Sequence, residues 1–391
     1  MTMTLSLDAL LDELIERKDV HSAVMSVTSG DGSFQWAGAR GVMSPGGPPV
    51  TETTPWFIAS ITKLFIAATV LRLVENGELA LQDRLVDRLD TALTHRLHVL
   101  DGQDHTDQIT LKHLLGHASG LPDFIEDYPK QGPDRRSLVE TLLAEGDRAW
   151  TLAETTHWVR ERLTPHFVPQ PLSDPRARIR YSDTNYQLLI GIIETCRGAP
   201  FFQVLDELIL RPLSLNNTWL SGRYPSSPNN REAEPQVPAL YAGADVVQLP
   251  NFLADIGDLN STCDDLTRFL KGLVNGGLFQ NPDTWHQMQA HARTFSFPRD
   301  RAALRQPGWP IQYGLGVMRF QLPRLFTPFR PMPRVEGHTG STGTWLFHAP
   351  KLDLYLTGAV NQVTAGAVPF KVVPRILKVF NATLAKSGHG G

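Results

Sequence analysis

The sequence predicts a mixed α/β (α+β) protein whose antiparallel sheet is built from both ends of the chain. Two β-rich hairpin patterns lie near the termini, and a helical pattern with Pro-rich connections runs from Ser60 to about Gly277. No Gly/Ser-rich or Pro/Ala-rich linker separates these regions. We therefore expect a helix-flanked sheet lobe from residues 1–59 and 278–391, with residues 60–277 inserted as a mostly helical lobe.

The N-terminal region predicts a helix followed by a hairpin. Leucines and acids alternate at helical spacing over residues 5–19, which gives one apolar stripe. The β-rich residues 23–28 and 33–38 then flank Ser29-Gly30-Asp31-Gly32, a pattern typical of a hairpin turn. The acids of this first helix occupy the place where an export signal needs an acid-free apolar run, so we expect a cytoplasmic protein.

The C-terminal region repeats the pattern in reverse order. Residues 344–348 and 352–357 flank Ala349-Pro350-Lys351 and predict a second hairpin. Apolar residues at helical spacing then predict a final helix from about Phe370 to Lys386.

The charge balance excludes several classes of partner. The 391 residues carry 37 Lys+Arg against 40 Asp+Glu, a net charge of −3, without a block of five like charges. This composition argues against nucleic-acid binding and electrostatic membrane docking. No stretch approaches the roughly 20 uninterrupted apolar residues of a membrane helix. The two cysteines, Cys196 and Cys263, are expected to be reduced.

The segment around Ser60 is the first candidate for chemistry. Trp56-Phe57 favours an extended entry, and apolar spacing predicts a helix from Ser60 to a stop at Gly77. Ser60 and Lys63 then lie one turn apart, with the Ser60 N–H at the helix N-terminus. This places a nucleophile, an amine and half of an oxyanion hole together. Ser-x-x-Lys alone arises about once by chance in such a chain, and a helix cap followed by a solvated lysine is the alternative.

Other catalytic motifs are absent from the sequence. There is no serine with glycine at both −2 and +2, and no HExxH, CxxC, P-loop or dinucleotide motif. His113 and His117 are four residues apart, but without a third ligand nearby we interpret them as helix-end packing. We therefore predict neither a metal nor a cofactor.

Two further motifs follow along the chain. Residues 180–186, RYSDTNY, precede a helical stretch, and residues 336–345, EGHTGSTGTW, enter the second hairpin. With Ser60-x-x-Lys63, these motifs resemble the Ser-x-x-Lys, Tyr-x-Asn and Lys/His-x-Gly signatures of the serine β-lactamase-like superfamily, in the same order. That superfamily includes class C β-lactamases, DD-peptidases, D-amino-acid amidases and class VIII esterases. Smaller likenesses are LLGHASGLPD at 114–123, DLNSTCDDLTRFL at 258–270 and YGLGV at 313–317.

The resemblance covers residues 20–384 and implies a serine β-lactamase/transpeptidase-like fold with the active site between the lobes. It implies that Ser60 forms an acyl-enzyme and that Lys63 accepts or relays the serine proton. Tyr181 would be the partner base and later the acid for the leaving group. The Ser341 N–H would be the second oxyanion donor, with Gly340 letting the strand edge approach the substrate.

Two positions depart from these signatures. Asp183 replaces the asparagine of Tyr-x-Asn. If it is ionised beside Lys63, it would favour the ammonium form of Lys63 and shift the base role to Tyr181. If it points at the helix N-terminus instead, it would be only a helix cap. His338, a substrate-binding position, replaces the usual lysine and is mostly neutral at pH 7. Together with the small net charge, His338 predicts a site without strong charge and favours a neutral ester over an anionic lactam.

Two Pro-rich segments, residues 164–175 and 322–334, are expected to be surface loops or pocket walls. The predicted apolar wall consists of Leu322, Leu325, Phe326, Phe329, Met332 and Trp345. The arginines Arg324, Arg330 and Arg334 are expected on the surface or, alternatively, as ligands for a carboxylate.

The sequence thus predicts a serine hydrolase acting as a carboxylesterase on small or medium, fairly apolar esters. An amide hydrolase of the same machinery is the alternative: a D-aminopeptidase or amidase, a DD-peptidase-like enzyme or a weak β-lactamase. Acyl transfer to another nucleophile is also open. A non-catalytic descendant is disfavoured because Ser60, Lys63, Tyr181 and Gly340 are all retained. The expected partner is a small-molecule ester or amide, without nucleic acid or membrane.

Overall fold

A computed structural model describes residues 3–130, 134–222, 234–295, 310–327 and 331–387. Its helices are α1 Met3–Ile15, α2 Thr62–Glu75, α3 Thr91–Thr94, α4 Leu111–Leu115, α5 Leu138–Glu145, α6 Leu152–Arg162, α7 Asp183–Arg197, α8 Phe201–Leu205, α9 Pro250–Asp255, α10 Cys263–Val274, α11 Thr284–Ala290 and α12 Pro369–Ser387. Its strands are β1 Ser22–Ser29, β2 Gln35–Gly41, β3 Trp56–Phe57, β4 Val99–Leu100, β5 Gln103–Asp104, β6 Trp219–Leu220, β7 Leu240–Ala242, β8 Asp245–Val247, β9 Leu259–Ser261, β10 Arg293–Thr294, β11 Ile311–Tyr313, β12 Met318–Phe320, β13 Val335–Gly340, β14 Thr344–Ala349 and β15 Leu354–Val360.

The main sheet is antiparallel and joins the two ends of the chain, as the sequence predicts. Its eight strands follow the order β10-β11-β12-β13-β14-β15-β1-β2 over the described residues. The closure is the pairing of β1 with β15, which runs from Ala23 opposite Val360 to Ser29 opposite Leu354. The mixed α/β prediction is therefore confirmed, while the lobe boundaries at 59/60 and 277/278 stay a prediction.

The predicted terminal elements form with shifted ends. Helix α1 stops at Ile15, four residues before the predicted end, because the next residues, Glu16, Arg17 and Lys18, offer no apolar side chain to continue the stripe. Both hairpins form, and α12 occupies the place of the predicted final helix.

Helix α2 is buried on nearly every side, and this decides where Lys63 lies. On one side of α2, the rings of Phe65 on α2 and Phe269 on α10 stack with 3.6 Å between their centroids. Helix α10 in turn packs against β14, β15 and β1 of the main sheet. A helix buried all round normally carries no charge. Lys63, 3% exposed, is the exception and needs a partner inside the protein.

A small second sheet, with strand order β3-β9-β6, supports the entry to α2.

Cys196 and Cys263 are free thiols. Over the described ranges, no single helix has the length and apolar character to cross a membrane. The bent pair Asp183–Arg197 and Phe201–Leu210 passes that test only when its two helices are taken together.

The close contact between β14 and β15 gives a test of the fold. Gly358 lies opposite Trp345, and a Cβ at Gly358 would stand 2.1 Å from the indole. Because the indole is fully buried and cannot move aside, Gly358→Ala should lower the free energy of unfolding by about 1–3 kcal/mol in denaturant titration. Gly277→Ala, whose Cβ would meet nothing closer than 3.9 Å, is the control and should change it by less than about 1 kcal/mol. Equal effects of the two variants would contradict this packing.

Candidate active site

Ser60 lies in a 3-10 turn, Ala59–Ile61, that leads directly into α2. The sequence predicted that Ser60 begins the α-helix itself. The turn is held by β9: the Ile58 N–H donates to the Leu259 carbonyl at 2.9 Å, and the Leu259 N–H donates to Thr62 Oγ1 at 3.0 Å. Ala59 has a φ of +47°, a strained conformation for a residue with a side chain. The position of Ser60 is thus fixed by the residues around it.

Strand β13 passes directly against this turn at Gly340. A Cβ on Gly340 would lie 2.8 Å from the Ile58 carbonyl oxygen and 2.9 Å from the Ala59 Cβ. The Thr344 hydroxyl donates to the same Ile58 carbonyl at 3.0 Å. The resemblance implied that Gly340 lets the strand edge approach the substrate. The structure corrects this reason, because Gly340 leaves room for the Ala59–Ile61 turn to pack against β13. Ser341 follows Gly340 at the edge of the cavity.

Lys63 connects Ser60 to Asp183. Its Nζ donates to Ser60 Oγ at 3.1 Å and forms an ion pair with Asp183 Oδ1. Burial by itself favours the neutral amine, but the negative charges of Asp183 and Asp258 outweigh it and hold the pKa of Lys63 well above its usual value. Of the two roles open for Asp183, the geometry favours the one beside Lys63.

Tyr181 is the third predicted catalytic side chain, and its ring lies against Lys63. Its ring centroid is 4.9 Å from Lys63 Nζ, and its ring packs on the imidazole of His117 at 4.5 Å. The hydroxyl is buried beside Ser60 and Lys63 without a well-formed hydrogen bond to any described residue. Burial and the Asp183 charge raise the pKa of Tyr181 although Lys63 opposes them. The resting tyrosine is therefore a neutral phenol that can donate a proton.

His338 is a neutral imidazole in this site. Its Nδ1–H donates to the Thr339 carbonyl at 2.6 Å, and the Tyr313 hydroxyl donates to its Nε2 at 2.9 Å. Burial, together with the charge of Lys63, lowers the pKa of His338 to about 3. Sequence reasoning missed Tyr313 as the partner of His338, although it begins the YGLGV segment.

A cavity of about 320 Å³ opens at Ser60 and also contacts Tyr181, Asp183, His338 and Ser341. One apolar wall consists of Ile125, Val139, Leu142 and Leu143 together with Phe252 and Leu253 on α9, and it comes from the helical middle of the chain. Ile311, Met318 and Phe370 add apolar lining from the C-terminal part of the chain.

The predicted apolar wall is wrong. Leu325 is 85% exposed, Met332 is buried in the core and neither lines the cavity. Trp345 is also buried in the core because its ring fills the space opposite Gly358. Phe329 and Arg330 lie outside the described residues. Neither Pro-rich segment contributes a described residue to the cavity, and Arg334 forms an ion pair with Glu336 at 2.7 Å.

The expectation of a weakly charged site is also wrong. A cationic side chain, Arg180, lines the cavity, and a second cation, Lys63, contacts the lining residue Ser60. The carboxyl groups in its lining are Asp123, Glu126, Asp127, Glu140, Asp183 and Asp258. Asp123 and Asp258 belong to segments that the sequence had marked, LLGHASGLPD and DLNSTCDDLTRFL, but no motif pointed to their carboxyl groups. The small net charge of the chain therefore conceals a local excess of acids.

Comparison with known proteins places this geometry in context. A family model described as Beta-lactamase matches residues 7–377. Protein Rv1367c of Mycobacterium tuberculosis is 27% identical over 338 residues, covering 79% of this chain and 78% of that protein. Esterase EstB of Burkholderia gladioli is 29% identical over 213 residues, covering 54% of this chain and 50% of EstB. The crystal structure of a D-stereospecific amidohydrolase from Streptomyces sp. has a TM-score of 0.71 at 23% identity, covering 95% and 97% of the two chains.

Removing the Asp183 charge should move the pH dependence of any reaction at Ser60. Asp183 raises the pKa of Lys63, so Asp183→Asn should lower it and make the neutral amine available at lower pH. The ascending limb of the kcat/KM profile should therefore shift to lower pH. Asp264→Asn, which changes a 78% exposed carboxylate, is the control and should leave the profile unchanged. If Asp183→Asn left the pH profile unaltered, Asp183 would have no influence on the group that takes the Ser60 proton.

Proposed function

The chain belongs to the beta-lactamase family of serine hydrolases, and we propose that it hydrolyses carboxylic esters through an acyl-enzyme on Ser60. The observation that carries this proposal is the contact of Lys63 Nζ with the Oγ of Ser60, which itself lines the cavity. An amine within hydrogen-bond distance of a serine hydroxyl can take its proton as the oxygen attacks a carbonyl.

In the proposed reaction, Lys63 first releases a proton to solvent when substrate binding changes the charges around it. Ser60 Oγ then bonds to the ester carbonyl carbon while its proton passes to the neutral amine of Lys63. The backbone N–H groups of Ser60 and Ser341 stabilise the resulting oxyanion. The C–O bond of the ester then breaks, and the alcohol leaves with a proton delivered from Tyr181 or Lys63. Water attacks the acyl-enzyme by the reverse route, which releases the acid and restores Ser60.

The cavity walls support an ester with a hydrocarbon group. The apolar wall of α5 and α9 lies in the same cavity as Ser60, where an acyl or alcohol chain can be removed from water. The neutral His338 offers no charge to the carboxylate of a β-lactam or a peptide C-terminus. The EstB relative, whose name describes an esterase, agrees with this preference.

Amide hydrolysis is the second candidate because the same residues can cleave an amide. The neutral phenol of Tyr181 favours it, since an amine leaving group needs a proton more than an alcohol does. The fold is also that of a D-stereospecific amidohydrolase. Acyl transfer requires only that an alcohol or amine replace water in the second step.

Replacing the nucleophile tests the proposed reaction. Ser60→Ala should abolish labelling by a fluorophosphonate and lower hydrolysis of p-nitrophenyl butyrate by at least about 1000-fold. Ser341→Ala keeps its backbone N–H and should stay within about 5-fold of the parent. A D-amino-acid p-nitroanilide and nitrocefin complete the substrate panel. Faster p-nitroanilide turnover would favour the amidase, and an unlabelled Ser60 would refute both hydrolase readings.

The two candidate walls can be compared with matched variants. Leu143, 43% exposed at the cavity, and Leu325, 85% exposed and away from it, both tolerate a polar side chain. Leu143→Asp should lower the hexanoate-to-acetate ratio of kcat/KM for p-nitrophenyl esters by about 5- to 10-fold, because it makes the wall polar. Leu325→Asp should leave that ratio unchanged. The reverse result would restore the wall predicted from the Pro-rich segment.

A further inference from the structure

Asp258 is a cavity-lining carboxyl group to which the reaction above assigns no role. It directly precedes Leu259, whose backbone N–H and carbonyl both bind the segment around the nucleophile turn. Two hydrogen bonds next to it therefore fix its backbone close to Ser60. Its charge also acts on Lys63 and Asp183. Burial and Asp183 raise the pKa of Asp258 to about 6, against the opposing effect of Lys63, so the group is largely ionised above that pH.

Asp258 interacts with the Thr62 hydroxyl, whereas each of the other carboxyl groups of the cavity, Glu126 aside, is held by an ion pair or by at least two hydrogen bonds. Glu126 has interactions of its own. The remaining four are bound as follows: Asp183 by Lys63, Asp127 by Arg180 and His166, Asp123 by the backbone N–H groups of Ile125, Glu126 and Asp183, and Glu140 by the Tyr128 hydroxyl and the Ser137 N–H. Within the part of the chain that the structure describes, no cationic side chain forms an ion pair with Asp258.

The charge balance of the cavity favours a positive ligand. Arg180 in the lining and Lys63, which contacts the lining residue Ser60, are both paired with acids, so neither offers a free charge to an anion. The six carboxyl groups outnumber them and leave a negative potential in a partly enclosed space. Asp123, whose pKa is raised by burial and by the neighbouring acids, can be neutral without removing this excess.

The position of Asp258 also suggests the shape of the ligand. Residues 249–258 form one continuous segment in which Leu249, Phe252, Leu253 and Ile256 line the cavity before the chain reaches Asp258. A hydrocarbon group on this wall therefore ends near a carboxylate.

We propose that Asp258 is a specificity-determining residue that selects ester or amide substrates carrying a positive charge next to a hydrocarbon group. The proposal rests on the hydrolase function proposed above. A cation bound near Asp258 also opposes the negative charges that raise the pKa of Lys63. A substrate with this positive charge should therefore have a higher kcat as well as a lower KM than a neutral substrate.

A pair of isosteric esters isolates the charge. Butyrylcholine and 3,3-dimethylbutyl butyrate have nearly the same shape, but only the first is a cation. We expect the parent protein to hydrolyse butyrylcholine with a kcat/KM at least about 10-fold higher. Asp258→Asn should bring the ratio of the two esters to within about 2-fold of one. Any change in Lys63 basicity affects both esters and cancels in this ratio.

Two further variants serve as controls for folding and for general charge. Asp258→Glu keeps the carboxylate and should keep most of the preference. Asp264→Asn removes a 78% exposed carboxylate outside the cavity and should leave the ratio unchanged. A parent ratio near or below one, or a preference that persists in Asp258→Asn, would overturn the role of Asp258. By contrast, failure of both esters together with an unlabelled Ser60 would overturn the proposed hydrolase function, and the role of Asp258 with it.

Discussion

The ion pair of Lys63 and Asp183 is the interaction on which the rest of the site depends. The two side chains are only 4% and 19% exposed, and they join α2, which follows the nucleophile, to the first residue of α7. A buried ammonium is tolerated only with a partner, and removing one member of such a pair typically costs about 3–5 kcal/mol. The pair thus fixes the relative position of the two helices and brings Tyr181, two residues before Asp183, beside Ser60.

The same pair sets the chemistry of the resting site. Lys63 holds its proton and Tyr181 remains a phenol, so a base becomes available only when the charges around Lys63 change. The local excess of carboxyl groups stabilises this protonated state. We expect such a site to disfavour an anionic substrate, and the neutral His338 accepts a hydrogen bond from the Tyr313 hydroxyl.

The sequence predicted the parts of this arrangement that depend on local spacing. Ser60 and Lys63 lie one turn apart wherever a helix forms, and β1 and β15 were recognisable as strands of hairpins near the two ends of the chain. The cavity walls could not be predicted in this way, because residues such as Leu143 and Phe252 meet only through the packing of separate helices. Trp345 follows a motif in sequence, yet strand alternation and the space above Gly358 direct its ring into the core. The excess of carboxyl groups in the cavity could not be predicted either, because the net charge of the whole chain does not show which charged residues lie together.

The proposed reaction requires that Ser60 becomes covalently acylated. The most direct measurement is to mix the protein with p-nitrophenyl butyrate, quench with acid within milliseconds to seconds, and locate the added mass by peptide mass spectrometry. We expect a butyryl group on the peptide that contains Ser60, which disappears as hydrolysis is completed and is absent in Ser60→Ala. Turnover of the ester without acylation of Ser60, or with the acyl group on another residue, would contradict it.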